Sequence, residues 1–214
     1  MKPCIRAICR CALLSFLLGL SSAMAQGSVD FFRAVGIDNA GLVSSMLSKG
    51  FDPNSVDEKG QVALYVALRI ESPKVAAVLL AHPGLKVDAS NDVNETPLMM
   101  AALRGSWDLA RRMIELGAAV NRSGWTPLHY AASGPEARMV SLLLDKGANV
   151  AAQSPNKTTP LMMAARYGSD EMVKILLTRG ADPKARNDQG LNPADFARLG
   201  GREDLAAQLD AAAR

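Results

Sequence analysis

After its first 25 residues the chain contains no cysteine, because Cys4, Cys9 and Cys11 all precede that point. Disulfide staples and thiol chemistry are thereby excluded from the remainder, whose stability must come from an apolar core. Histidine is almost as scarce, with only His82 and His129 present. A catalytic site needs a convergent acid, base or nucleophile, and two histidines so far apart do not have metal-ligand spacing either. The apolar stretch from Cys11 to Leu20 is too short to span a bilayer. An excess of charge is missing as well. Lys2, Arg6 and Arg10 are three of the 24 basic residues, and without them 21 basic residues face 21 acidic ones. A neutral chain of this kind is not expected to bind nucleic acid.

Residues 1–25 have the pattern of a cleavable secretory signal. The basic start of Lys2, Arg6 and Arg10 precedes the apolar stretch, and Ala23-Met24-Ala25 forms a small-x-small site before Gln26. None of the cysteines follows the apolar stretch, where a lipidated one would sit. Export, cleavage between Ala25 and Gln26, and no membrane attachment afterwards are expected, with residues 26–214 forming one domain.

What the remainder has in quantity is a repeat. Thr126-Pro127-Leu128-His129 returns as Thr96-Pro97-Leu98-Met99, Thr159-Pro160-Leu161-Met162 and Asn192-Pro193-Ala194-Asp195. The step from Thr126 to Thr159, and again to Asn192, is 33 residues, the length of one helix-turn-helix unit with a connecting finger. The copy from Ser154 to Arg186 is the clearest. Thr159 is placed to cap a first helix, Pro160 sits where no donor is missed, and Gly168 ends the helix. Ala164 and Ala165 are small enough for neighbouring units to approach. Ser169 and Asp170 then open a second helix with one apolar face of Met172, Val173, Leu176 and Leu177. Gly180 closes it, as Gly50, Gly117 and Gly147 do in other copies.

These residues resemble the ankyrin repeat family, whose consensus joins Thr-Pro-Leu-His, Ala-Ala, Gly, Val-x-x-Leu-Leu and Gly-Ala-Asp. Ser123 to Val150 carries it as Gly124, Thr126-Pro127-Leu128-His129, Ala131-Ala132, Val140, Leu143-Leu144 and Gly147-Ala148-Asn149. The resemblance implies an all-α ankyrin-repeat solenoid of stacked helix-turn-helix units with hairpin-like finger loops. Six units are expected, at 26–56, 57–90, 91–121, 122–153, 154–186 and 187–214, the first and last acting as caps. It also implies that His129 bonds between neighbouring loops. The sequence is further similar to bacterial exported members, which implies a periplasmic or secreted protein.

Two departures from the pattern carry expectations of their own. The finger turn requires a residue that tolerates positive φ, which Gly60, Asn94, Gly124 and Gly190 satisfy. Lys157 stands at the same place and predicts a locally different finger. Nine steps separate Gly117 from Thr126, against twelve from Gly147 to Thr159, so the fourth finger is shortened and a notch is expected beside it. Three Asn-x-Ser/Thr triplets, beginning at Asn94, Asn121 and Asn156, read as a by-product of finger composition.

In the family, partners are held by finger tips and by the exposed ends of first helices. Carried over on the Thr-Pro-Leu motif, these places are Glu95, Leu103, Arg104, Arg122, Trp125, Ser133, Thr158, Arg166, Tyr167 and Leu191. Trp, Tyr and Arg are the usual anchors of interfaces, so Arg104, Trp125, Arg166 and Tyr167 are expected to form one patch. Trp107 is expected to pack between units. The function implied is that of a non-enzymatic, monomeric scaffold that needs no cofactor or metal and binds another protein as a periplasmic adaptor or regulator. A secreted effector or inhibitor of a foreign protein would use the same groove. Copper handling through Met99, Met100, Met162 and Met163 is a third reading, set against methionine's use as core filler.

Overall fold

Proline marks where most of the first helices begin. Pro97, Pro127, Pro160 and Pro193 each take the first helical position, where the absent N–H has no intrahelical acceptor to miss. The residue before each is extended and closes the helix start. Thr96 Oγ1 accepts from Met99 N at 3.3 Å, Thr159 Oγ1 from Met162 N at 3.4 Å, and Asn192 Oδ1 from Asp195 N at 2.9 Å. A side chain three positions on returns the bond. The backbone N–H groups of Thr96, Thr126, Thr159 and Asn192 donate to Met99 Sδ, His129 Nδ1, Met162 Sδ and Asp195 Oδ2.

The computed structural model describes residues 26–214, and residues 1–25, on which the expected export signal falls, lie outside the described residues. Within them twelve helices form six pairs. They are α1 (26–36) with α2 (Ala40–Ser48), α3 (Ala63–Arg69) with α4 (Pro73–Leu80), and α5 (Pro97–Arg104) with α6 (Trp107–Glu115). The later pairs are α7 (Pro127–Ala132) with α8 (Ala137–Asp145), α9 (Pro160–Tyr167) with α10 (Asp170–Thr178), and α11 (Pro193–Leu199) with α12 (Glu203–Ala212). First helices pack on first helices and second on second along the chain, so the architecture is the solenoid expected. One continuous apolar core runs between the two rows, with Leu64, Leu98, Leu128 and Leu161 buried at matching places.

The fingers between pairs are turns held by their own side chains. Asp57, Asn91 and Asn187 each accept through Oδ1 from two finger N–H groups. At the tips Gly60, Asn94, Gly124, Lys157 and Gly190 all have φ between 60° and 77°. Lys157 therefore corrects the expectation of a different finger. Its turn keeps the common geometry, Lys157 N donates to Ser154 O at 2.8 Å, and its ammonium lies 2.8 Å from Asp188 Oδ1. The fourth finger is the odd one, because Asn121 turns away to its neighbour. Asn121 Nδ2 donates to Gly147 O and its Oδ1 accepts from Asn149 N, both at 2.8 Å.

Glycine spaces the units where first helices end. A Cβ on Gly168 would stand 2.6 Å from Ala132 O, and one on Gly200 2.6 Å from Arg166 O. Gly168 is extended, at φ −85° and ψ −176°. Close approach between units, not a left-handed turn, is what requires glycine there. The last pair is fastened by Arg202, whose Nη1 donates to Ala164 O, Ala165 O and Gly168 O at 2.9, 2.9 and 2.7 Å. Its Nη2 pairs with Asp170.

Candidate functional site

The shortened finger brings Trp125 directly ahead of α7, and the indole meets the ring of His129 edge-on at 5.2 Å between centroids. Trp125 remains 37% exposed and Tyr167, at the end of α9, is 55% exposed. Between them lies a groove of about 390 Å³. Leu103 from α5, Tyr130 and Ser133 from the α7 region, and Met163 from α9 complete its walls, with His129 at its floor. Three successive units thus contribute to one apolar depression. A second, smaller hollow of about 120 Å³ lies between the fingers, and Trp125 and Tyr130 line both.

His129 is buried completely and both ring nitrogens are used. Nδ1 accepts from Thr126 N at 3.2 Å, which leaves Nε2 protonated to donate to Thr158 O at 2.9 Å. Burial lowers its pKa to about 4, against a smaller opposing pull from the Thr158 carbonyl, so the imidazole is neutral. It joins the fourth unit to the fifth finger, the loop-to-loop role expected of it.

Beside the groove, Glu95 gathers three hydrogen bonds across three units. Tyr65 Oη donates at 2.5 Å, Asn91 Nδ2 at 3.0 Å and Tyr130 Oη at 2.8 Å. Burial alone would raise its carboxyl, but these bonds outweigh it and hold the group below the ordinary carboxylate range. Burial, then the contact with Glu95, pushes both tyrosine hydroxyls up. Glu95 is therefore a staple of the stack.

Of the ten residues expected at the interface, Leu103, Trp125, Ser133 and Tyr167 come together in the groove. Arg166 is not among the groove's walls and lies instead over the Tyr167 ring, with Cζ 5.0 Å from its centroid. Arg104 does not join the patch. It turns back to the preceding unit, donating to Arg69 O at 2.8 Å and lying 3.3 Å from Glu71. Thr158 is 2% exposed, so its side chain is not presented to a partner. Arg122 lies 3.9 Å from Asp88, and Leu191 packs on the core at the last finger. Trp107 lies in α6 with Arg138 of the next unit over its ring at 5.3 Å, the inter-unit packing expected. Tyr130 is a groove residue that carries no expectation from the sequence, and Met163 carries one only as a copper ligand or core filler. Both stand four places after the capping residue, where an apolar side chain reads as core.

Among the described residues no helix is long and apolar enough to cross a membrane, and no group of three or more His, Cys, Asp and Glu is arranged to hold a metal ion. Met99 and Met162 are buried with their sulfurs accepting backbone N–H groups.

Stacked helix pairs, capped fingers and an apolar groove across three units define a helical-repeat scaffold of the interaction type. The ankyrin-repeat family model, in arrays of three copies, matches residues 31–123, 83–154, 105–187 and 136–209, and the chain belongs to the ankyrin repeat family. It is 33% identical over 94 residues to glycerophosphocholine phosphodiesterase gde1 of Schizosaccharomyces pombe, covering 42% of the chain and 8% of that protein. Similarity to the B-cell lymphoma 3 protein homolog of Mus musculus is 30% over 119 residues, covering 52% and 27%. A putative ankyrin repeat-containing protein of Treponema pallidum is 33% identical over 124 residues, covering 56% and 41%. The chain spans less than half the length of each of these relatives.

Proposed function

We propose that the chain is an exported, non-enzymatic adaptor or regulator that acts in the periplasm by holding another protein against its fingers and first helices. The observation that carries this reading is the pair of exposed rings, Trp125 and Tyr167, standing on either side of one apolar groove. Large aromatic side chains beside a preformed depression are the usual anchors of an interface, and a scaffold ordered beforehand loses little entropy on docking. The export component rests on the sequence pattern of residues 1–25. The non-enzymatic component is supported by His129, whose two nitrogens are committed to structural bonds.

Affinity capture from a periplasmic extract, with the native chain beside the Trp125→Ala, Tyr167→Ala double variant, tests the reading. A protein enriched by the first bait and lost with the second is expected. Equal capture by both, or loss accompanied by a lowered melting temperature of the double variant, would overturn the groove as the interface.

A further inference from the structure

The groove has the walls of a small-ligand site. At about 390 Å³ its volume falls at the lower end of the range such pockets occupy, roughly 300–1,000 Å³. Three aromatic rings, Trp125, Tyr130 and Tyr167, line it. Several polar atoms in the wall are already engaged. Ser133 Oγ donates to His129 O at 3.1 Å, Tyr130 Oη donates to Glu95, and both nitrogens of His129 are bonded. A primary ammonium entering here would lose water and find, among these groups, only the hydroxyl oxygens of Ser133 and Tyr130 as acceptors for its three N–H groups. A quaternary ammonium has no N–H to satisfy and is attracted to π faces.

Electrostatics point the same way. Glu95, one hydroxyl behind the Tyr130 ring, takes its hydrogen bonds from neutral donors. Among the described residues no lysine or arginine pairs with it. Its charge makes the Tyr130 face more attractive to a cation, and the neutral His129 at the floor adds no opposing charge. Arg166 lies beside the groove with its guanidinium over the Tyr167 ring at 5.0 Å, which leaves Trp125 and Tyr130 as the rings open to a further cation, and it has no carboxylate partner among the described residues.

We propose that the groove binds a small zwitterion of the betaine class, with its trimethylammonium group against Trp125 and Tyr130 and its carboxylate on Arg166. Such a site gives an interaction scaffold a small-molecule input. It goes beyond protein binding and does not depend on it.

Calorimetric titration of the purified chain with glycine betaine tests the assignment, beside 3,3-dimethylbutanoate, which keeps the shape and carboxylate but replaces the charged nitrogen with carbon. Saturable betaine binding is expected, with the carbon analogue weaker by about tenfold. Arg166→Gln is expected to weaken betaine but not tetramethylammonium, and Tyr130→Phe, which keeps the ring but uncouples it from Glu95, to weaken both. Melting temperatures of the variants report any loss of fold. Equal affinity for betaine and its carbon analogue would overturn the proposal in favour of a merely apolar cavity. Absence of saturable heat would overturn it, as would binding of a trimethyllysine peptide where betaine fails. None of these outcomes bears on the capture experiment, so the two readings fail separately.

Discussion

Nε2 of His129 donates to the carbonyl oxygen of Thr158 at 2.9 Å, tying the first helix of the fourth unit to the finger of the fifth. The bond requires the neutral tautomer. Protonation at Nδ1 would set one donor against another, because Thr126 N already points at that atom.

A pH dependence follows from that conflict. The folded pKa, about 4, lies below the ordinary histidine value of 6.5. Between these values the unfolded chain binds more protons, so stability present above pH 6.5 is lost as pH falls toward 4, by about 3 kcal/mol over the window. Urea midpoints at pH 7 and pH 5 should differ accordingly, before Glu95 titrates. His129→Met, which copies Met99 and Met162 at the same place in other units, should flatten the dependence. At pH 7 it should cost about 1–3 kcal/mol for the unpaired Thr158 carbonyl.

The Tyr65–Glu95–Tyr130 link predicts coupling between units. Tyr65→Phe and Tyr130→Phe should each destabilise by roughly 1–2 kcal/mol, since each removes one donor from the carboxylate. The double variant should deviate from their sum, because both act through Glu95. A double-mutant cycle by denaturant unfolding gives the coupling, and strict additivity would show the two tyrosines to be independent.

Two glycines should respond to alanine in opposite directions. Gly168→Ala places Cβ against Ala132 O and should cost about 1–3 kcal/mol by forcing adjacent units apart. Gly36→Ala meets nothing within 4 Å and needs no positive φ, so it should leave stability unchanged or raise it. Melting temperatures of the two variants provide the comparison.

Lys157→Gly should raise the melting temperature. The substitution relieves a side chain held at φ 60°, while the ion pair it gives up with Asp188 is exposed and screened. Asp188→Asn in the native background measures the loss from the ion pair alone.

Local signals made much of this fold legible in advance. Thr and Asn before proline specify helix starts, and the 33-residue step specifies the stacking that buries the Leu and Met faces. Trp125, Leu103, Ser133 and Tyr167 were placed in the groove by the same register. What escaped depends on contacts between units that no single repeat encodes. Arg104 was expected at the patch, yet a carbonyl of the preceding unit claims it. Glu95 looked like a free finger carboxylate until two tyrosines, 30 residues before and 35 after, converged on it. Tyr130 carries an apolar place in the motif, and only the shortened finger beside it turns that place into a wall of the groove.

Arg202 has a consequence for any shortened form of the chain. Its guanidinium serves three carbonyls at the end of α9, outside its own unit. A truncation ahead of residue 200 would strip those oxygens of their donor as well as uncovering the flank of α11, so the damage would spread one unit inward. Unravelling from this end should begin with the sixth unit and the end of the fifth released together.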